Sequence, residues 1–206
     1  SRKYIPFTIM YRFVHCADLH LDSPFHGISA DAPEQSEVLR QATFDVYERI
    51  VNLCISEKVD ALLVAGDVFD SADRSLKAEF KFKEGLDRLA DNGIQAFICH
   101  GNHDPLDGWR AGLQWPDMAY EFGAKPEGYA LRKADVDSPV VYGVSYPTRE
   151  VRKNLIPLFP QPDVHRATIG LLHANVGQNP GHDNYAPCTI KDLEDTGYDY
   201  WALGHV

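Results

Sequence analysis

Residues 60–70 read DALLVAGDVFD, and this stretch decides the fold. The run at residues 60–68 is strand-like and apolar enough to be covered on both faces of a sheet. Gly66 and Asp67 stand at its end, where a glycine permits tight passage of the backbone. In open α/β sheets, ligands bind outside the carboxyl ends of the strands. The stretch therefore predicts a buried parallel strand with a functional carboxylate at its end.

Strand and helix candidates alternate on both sides of this segment. Before it come a strand at residues 10–16 and a helical pattern at residues 34–57. After it come a helix at about residues 75–90, ended by an Asn-Gly pair, and a strand at residues 94–100. This alternation is typical of a parallel sheet. Apolar residues at spacings of three and four are predicted to lie on one face of the first helix: Leu39, Ala42, Val46, Ile50 and Leu53.

The second half of the chain adds shorter elements. Three more strand candidates are PVVYGVSY, ATIGLLH and YDYWALGHV, and TIKDLEDTG predicts a short helix. No internal repeat or linker divides the chain. Residues 1–206 are therefore predicted to form one domain.

Composition limits the kinds of partner. The formal net charge of −10 argues against a general polyanion-binding surface, because counterion release needs Lys and Arg along the phosphate backbone. Bound divalent cations would offset that charge locally, so nucleic acid stays open as a substrate. We see no signal peptide and no apolar run of the roughly 20 residues that a membrane span needs, so we expect a soluble, cytoplasmic protein. The four cysteines lack C-x-x-C spacing and are predicted to be reduced.

Five small clusters of metal-binding residue types each follow a predicted strand. Alone, each cluster is weak evidence for a metal site, because an ordinary turn or a surface histidine would explain it equally well. Together and in this order they predict one metal centre. Asp18 and His20 would point the same way if the backbone were extended, and the two oxygens of Asp67 can bridge two cations. The clusters are Asp18-x-His20, Gly66-Asp67, Gly101-Asn102-His103-Asp104, His173 and His205.

This motif series resembles that of the calcineurin-like metallophosphoesterases, over nearly the whole chain. The resemblance implies an α/β fold with a two-sheet β core flanked by helices, in the layer order α/β/β/α. The family's last motif is G-H-x-H, whereas this chain ends at Val206. We therefore expect a phosphoesterase core that is incomplete at its C-terminus, lacks one ligand and is weakly active.

The resemblance also implies roles for the cluster residues. Asp18, His20 and Asp67 would hold one metal ion. Asp67, Asn102, His173 and His205 would hold the other, with Asp67 as the bridge. Nitrogen and oxygen ligands without thiolates suit Mn²⁺ first, with Fe, Zn or Mg as alternatives. His103 matches the family's catalytic histidine, and Asp104 is expected to be its partner.

The segments HCADLHLDSPF, GDVFD and GNHDPLDGW are similar to those of SbcD/Mre-type DNA repair exonucleases. This similarity implies a DNA substrate, an SMC/Rad-type ATPase subunit as partner, and a homodimer. The first long helix would either pack against a second copy or cover the sheet. Two other functions stay open: a phosphodiesterase or phosphatase acting on nucleotides or small phosphoesters, and a metal-poor interaction scaffold.

Other histidines and aromatic residues are given structural interpretations. Trp109, Trp115 and Tyr146 have rings that can stack on bases, but core packing is the favoured interpretation. The histidines that match no ligand position are predicted to be structural or surface groups: His15, His26, His100, His165 and His182.

Overall fold

The computed structural model describes residues 10–23, 33–70, 75–132, 137–177 and 184–205, and it places the strands in two four-stranded sheets. The elements of the first half are β1 (Phe13–Cys16), α1 (Pro33–Ser56), β2 (Ala61–Ala65), α2 (Leu76–Asp91), β3 (Gln95–Cys99) and β4 (Ala119–Glu121). Those of the second half are β5 (Glu127–Ala130), β6 (Val140–Gly143), a 3₁₀ turn (Ile156–Leu158), β7 (Thr168–Ala174), α3 (Ile190–Asp195) and β8 (Tyr200–His205).

The first sheet is parallel throughout, in the order β1-β2-β3-β4, which confirms the parallel sheet predicted from the alternation of elements. The first strand is shorter than predicted and begins at Phe13. At Arg12, the residue before this strand, the backbone N–H donates to the Asp60 carboxylate at 2.8 Å instead of to a backbone carbonyl. The second sheet has the order β5-β6-β7-β8, and only its β5–β6 pair is antiparallel.

Alternation along β2 explains the layer order. Leu62 and Val64 face the layer of α1 and α2, whereas Leu63 faces the second sheet. Every residue of β2 is buried, as expected for a strand covered on both faces. Between the sheets lie Ala61, Leu63, Ala65, Phe97, Cys99, Phe122, Leu131, Val141, Ile169, Leu171 and Ala202.

A third apolar cluster covers the outer face of the second sheet. Val144, Leu172 and Ala174 pack there with the chain around the 3₁₀ turn, and Leu193 of α3 packs against the cluster. Two sheets flanked by helices, as the sequence predicts, are therefore confirmed. Within the described residues, no helix has the length and apolarity that crossing a membrane requires.

The apolar stripe seen in the sequence is not the most buried face of α1. Tyr47, Val51 and Cys54 are buried, whereas Val46 and Leu53 of the predicted stripe are each 48% exposed. Both stripes have helical spacing, so periodicity alone does not choose between them. The Tyr47 hydroxyl donates to the Phe82 carbonyl of α2 at 2.9 Å, so the face of α1 that carries Tyr47 packs against α2.

The aromatic residues considered for base stacking separate into two groups. Tyr146 is fully buried, and Trp115 packs edge-on against Phe82 with ring centroids 5.7 Å apart. Core packing is therefore confirmed for both. The same interpretation is wrong for Trp109, which is 56% exposed. All four cysteines are free thiols, as predicted.

We predict that Gly85→Ala destabilises the protein. A Cβ at this position of α2 would overlap the Tyr47 ring. Alanine improves helix propensity by about 1 kcal/mol, but overpacking costs about 1–3 kcal/mol, so the free energy of unfolding should fall by about 1 kcal/mol. Urea unfolding followed by circular dichroism measures the change.

A double-mutant cycle with Tyr47→Leu identifies the cause. Once the ring is removed, Gly85→Ala should stabilise the protein, because only the propensity gain remains. Equal effects in the two backgrounds would show that the overlap with Tyr47 does not matter.

Candidate metal centre

The predicted site residues lie at one edge of the two sheets. Asp18 and His20 follow β1, Asp67 follows β2, and the Gly-Asn-His-Asp turn at residues 101–104 follows β3. His173 is the penultimate residue of β7, and His205 ends β8. Because these strands are parallel within each sheet, their carboxyl ends meet at the same edge.

Two groups of potential ligands share Asp67. One ligand atom each from Asp18, His20 and Asp67 lie within 4.8 Å of one another. The same holds for Asp67, His173 and His205. The Asn102 side-chain oxygen belongs to the second group, 3.1 Å from His173 Nε2. The structure therefore brings together all six residues that the sequence suggests as ligands.

His173 is fixed in the orientation of a ligand. Its Nδ1 lies 2.9 Å from the Ala65 carbonyl oxygen, which can only accept a hydrogen bond, so Nδ1 carries a proton. Its Nε2 lies 3.1 Å from Asn102 Oδ1 and 3.2 Å from Asp67 Oδ2. Without a proton or a metal ion, lone pairs would face one another there. The donor set therefore fits a cation held between these side chains.

The protonation of the metal-free site follows the same geometry. Burial alone would lower the pKa of His173, but the hydrogen bond and charge of Asp67 raise it. Burial would likewise raise the pKa of Asp67, and His173 lowers it. Burial raises the pKa of Asp18 above its ordinary value. A metal ion must displace the proton held at His173, so acid weakens metal binding.

The backbone at the site is left-handed rather than extended. Asp18 has φ 53° and His20 has φ 41°, so the condition of an extended backbone at these two residues is not met. Asp67 and His205 are also left-handed, with φ 52° and 89°. Such values are uncommon outside glycine and cluster at functional sites, where the surrounding structure must hold them. Ligand atoms of Asp18 and His20 nevertheless lie within 4.8 Å of each other.

Two glycines let the ligand turns approach one another. Gly66 has φ 87°, and a Cβ there would overlap the His173 ring. A Cβ at Gly101 would overlap both the Asp67 carboxylate and that ring. Any larger residue would push the turns after β2 and β3 away from β7. The glycines beside Asp67 and Asn102 are thus part of the site's geometry.

His103 lies beside a different carboxylate from the one expected. Its backbone N–H donates to Asp67 Oδ1 at 2.8 Å, and its Nδ1 lies 3.4 Å from Asp70 Oδ1. Its ring stands edge-on to that of His20, with centroids 4.9 Å apart. The side chain next to the His103 ring is therefore that of Asp70, the last residue of GDVFD, and not that of Asp104.

Asp104 instead holds the two ligand turns together. Its carboxylate is fully buried and accepts hydrogen bonds from the backbone N–H groups of Gly101, Asp67 and Val68 at 2.8, 3.1 and 2.9 Å. The expected Asp104–His103 pair is absent among the contacts of these described residues. Asp104 is a structural anchor beneath the ligands because its bonds join the turn after β2 to the turn after β3.

His100 extends this buried network towards the surface. Its ring lies between Asp104 at 3.0 Å and Glu121 at 2.6 Å, and Arg110 contacts Glu121 at 2.6 Å. Burial would lower the pKa of His100, but the two carboxylates raise it to about 9. Burial would raise the pKa of Glu121, which His100 and Arg110 lower to about 2. His100 is thus a buried cation, in line with its structural interpretation.

Sequence reasoning missed Glu121 and the role of Asp70. Asp70 carried a usable signal, since it lies three residues after Asp67 in the same segment. Glu121 carried none, because it ends the three-residue strand β4, 21 residues along the chain from its partner His100. Of the other histidines, His165 is exposed and His15 is partly buried, whereas His26 and His182 lie outside the described residues.

The centre has a buried floor and an open side. Asp67, Asn102 and His173 are at most 3% exposed. Asp18 is exposed, and His20, His103 and His205 are partly exposed. A ligand therefore reaches the buried side chains from the face that carries His20 and His103.

The fold and this group of side chains are those of a metallophosphoesterase, and comparison with known proteins identifies the family. Residues 11–206 match the family described as calcineurin-like phosphoesterase. The chain belongs to this family, whose members are metal-dependent hydrolases of phosphoesters. The two sheets described above are its fold.

Individual relatives span both uncharacterised proteins and nucleases. The chain is 38% identical to the uncharacterized metallophosphoesterase YhaO of Bacillus subtilis, over 94% of this chain and 48% of the relative. It is 27% identical to the DNA double-strand break repair protein Mre11 of Aeropyrum pernix, over 96% and 49%. It is 34% identical to the D subunit of the nuclease SbcCD of B. subtilis, over 47% and 22%. The chain spans about half the length or less of these relatives.

We predict that Glu121→Ala destabilises the metal-free protein. Removal of one partner from a buried ion pair leaves His100⁺ undercompensated, which costs about 3 kcal/mol near neutral pH. The raised pKa of His100 stabilises the fold fully below pH 6.5, and this contribution disappears as pH rises through about 9. Without Glu121 the folded-state pKa of His100 should fall, so this contribution should be smaller and should be lost completely at a lower pH.

Urea unfolding with chelator present, measured across that pH range, tests the prediction. The matched control is Glu48→Ala: this exposed carboxylate of α1 lies 4.0 Å from Arg88 of α2, and loss of such an exposed pair should change stability by less than about 1 kcal/mol. Parallel stability–pH curves for wild type and Glu121→Ala would show that Glu121 does not hold the proton on His100.

Proposed function

We propose that this chain is the core of a dimetal phosphodiesterase acting on DNA, and specifically of an exonuclease. The observation that carries the proposal is the pair of ligand groups that share Asp67. A dimetal centre needs a bridging carboxylate, and Asp67 is the buried side chain common to both groups. The remaining argument concerns what these side chains would do to a phosphodiester.

The residues present fit two divalent cations. Asp18, His20 and Asp67 would hold one of them. Asp67, Asn102, His173 and His205 would hold the other. When bound, such ions neutralise charge on the attacking and leaving oxygens of an in-line displacement at phosphorus. Nitrogen and oxygen donors without sulfur favour Mn²⁺, with Fe, Zn and Mg as alternatives.

His103 is suited to proton transfer. Asp70 lies at its Nδ1, so Nε2 is the ring nitrogen left for a substrate. In the proposed step, water loses a proton to solvent as its oxygen bonds to phosphorus, the bond to the sugar oxygen breaks, and His103 Nε2–H supplies the proton that this oxygen needs. Asp70, at His103 Nδ1, fixes the orientation of the ring. His103 is thus the proposed catalytic residue and Asp70 its positioning residue.

The substrate is assigned from the relatives rather than from the ligand geometry. Relatives that are named DNA repair and nuclease proteins match up to 96% of this chain, which supports DNA. The SbcCD relative is named as a subunit, which supports a partner subunit; an SMC/Rad-type ATPase as that partner, and a homodimer, rest on the resemblance of the sequence motifs alone. The competing substrate is a nucleotide or small phosphoester, which the net charge of −10 favours.

A scaffold without metal is the least supported function. It would not require six metal-binding side chains from five strand ends to converge, with four of those residues in left-handed conformations. Backbone strain of this kind costs free energy and is retained where a site needs it.

We predict that His103→Ala lowers hydrolysis of an oligodeoxynucleotide by about 10²–10⁴-fold, because the sugar oxygen leaves only with a proton. A bis(nitrophenyl) phosphate releases a stabilised anion, so its hydrolysis should depend much less on His103. Initial rates for both substrates at saturating Mn²⁺ give the comparison. An equal loss on the two substrates would contradict the role of His103 as an acid.

Two aspartate variants serve as a matched pair for that measurement. Asp70→Asn should repeat the substrate-dependent loss at about 10–100-fold, since it releases the ring from its orienting partner. Asp104→Asn should instead lower stability, because its carboxylate bonds to backbone N–H groups and to His100. If Asp104→Asn, and not Asp70→Asn, slowed hydrolysis of the oligodeoxynucleotide much more than that of bis(nitrophenyl) phosphate, the residue that orients His103 would be Asp104.

We predict that nucleotide release requires a DNA end. Linear duplex DNA should be degraded in Mn²⁺, whereas covalently closed circular DNA and mononucleotides at matched phosphate concentration should not. The distinguishing quantity is kcat/KM for linear DNA against each competitor. Faster hydrolysis of mononucleotides than of linear DNA would favour the small-phosphoester function and overturn the exonuclease.

A further inference from the structure

A short positively charged loop borders the metal centre. The basic loop, residues 147–154 with the sequence PTREVRKN, follows β6 and the buried Tyr146. The Tyr146 ring stands edge-on to the His173 ring at 5.7 Å. The loop therefore begins directly behind one of the proposed ligands.

The far part of the basic loop reaches the centre from a second side. The Arg152 guanidinium lies 5.7 Å from the centre of the Tyr185 ring. That ring lies 6.0 Å from the ring of His205, centroid to centroid. One aromatic ring thus separates Arg152 from a proposed metal ligand.

The basic loop also contacts the continuation of the turn that carries His103. The Leu106 backbone N–H donates to the Tyr146 carbonyl at 2.9 Å, and that of Asp107 donates to the Pro147 carbonyl at 3.2 Å. The basic loop is therefore joined on one side to the segment that follows His103, and it lies close to His173 and His205 on the other.

Buried anchors hold the loop in place. Val151 is only 8% exposed, and its carbonyl oxygen accepts a hydrogen bond from the Ala186 backbone N–H at 2.6 Å. Leu155, which follows the loop, belongs to the same buried cluster. The backbone around the charged residues is thus fixed before any ligand binds.

The charges on the loop oppose those of the chain as a whole. Arg149, Arg152 and Lys153 are exposed within five residues, and Glu150 is the one acid among them, whereas the whole chain carries −10. Arg149 and Lys153 form no ion pair with any residue that the structure describes. Arg152 pairs with Glu150 at 3.1 Å, but both side chains are about 60% exposed, so a phosphate can replace that partner at little cost.

We propose that the basic loop binds the phosphates next to the scissile one, and so selects a nucleic-acid strand over a mononucleotide. The inference rests on the proposed phosphodiesterase function and names a binding subsite for it. The loop lies beside the proposed metal ligands rather than among them. Its Arg and Lys side chains would therefore contact the phosphates of a strand that neighbour the scissile one. A mononucleotide carries no such phosphates and would gain nothing from the loop.

The test is binding of a fluorescein-labelled single-stranded oligodeoxynucleotide by the whole chain, measured by anisotropy over a series of salt concentrations. The variant is Arg149→Gln, Arg152→Gln and Lys153→Gln together. We expect Kd to rise at least about tenfold at low salt, and the slope of log K against log salt to fall by about 0.7 for each phosphate that the variant no longer neutralises. The ratio of kcat/KM for the oligonucleotide to that for bis(nitrophenyl) phosphate should fall by a similar factor.

A variant of equal charge change on α2 is the matched control: Lys81→Gln, Lys83→Gln and Arg88→Gln. It should leave the anisotropy curve within about twofold of wild type, because α2 covers the outer face of the first sheet. Calorimetric titration with Mn²⁺ checks that the basic-loop variant still folds and retains its metal centre.

The outcomes separate this inference from the proposed function. Equal binding by wild type and the basic-loop variant, or equal weakening in the α2 control, would overturn the subsite. Loop-dependent binding without any cleavage in Mn²⁺ would support the subsite and overturn the nuclease. End-dependent cleavage with loop-independent binding would support the nuclease and overturn the subsite.

Discussion

The convergence of oxygen and nitrogen lone pairs around His173 and Asp67 is the constraint on which the rest of the molecule depends. Asn102 Oδ1 and Asp67 Oδ2 both lie within 3.2 Å of His173 Nε2, in a space closed to solvent. Such an arrangement is unfavourable unless a proton or a cation lies between the groups. The hydrogen bond from His173 to Ala65 keeps the ring from turning away. The glycines and left-handed residues around it serve this packing.

A second set of buried charges supports the first. Asp104 accepts backbone hydrogen bonds from the turns that carry Asp67 and Asn102, and His100 forms an ion pair with Glu121. Buried ion pairs add little net stability, but they cost much when one partner is removed. This network therefore specifies a geometry more than it strengthens the fold. It also explains why the aspartate in the Gly-Asn-His-Asp turn lies beneath the metal centre rather than at His103.

The sequence predicted the parts of the structure that depend on local pattern. The parallel order of β1, β2 and β3 followed from alternating apolar runs, and the convergence of the candidate ligand residues at one edge followed from residue types at strand ends. The buried face of α1 did not follow from the sequence, because two apolar stripes have helical spacing and only contact with Phe82 selects one. The pairing of His100 with Glu121 was not predictable, since it joins distant positions through tertiary contacts. The conformation of Asp18 and His20 was missed because spacing alone does not report φ.

The two sheets contribute to the metal centre from opposite sides. Asp18, His20, Asp67 and Asn102 come from the first sheet, and His173 and His205 come from the second. An ion bound by side chains from both sheets would link the two sheets, in addition to the apolar layer between them. The thermal stability of the protein would then depend on the concentration of free metal, since a ligand that binds only the native state stabilises it by mass action. Removal of such an ion would then loosen the contact between the two sheets.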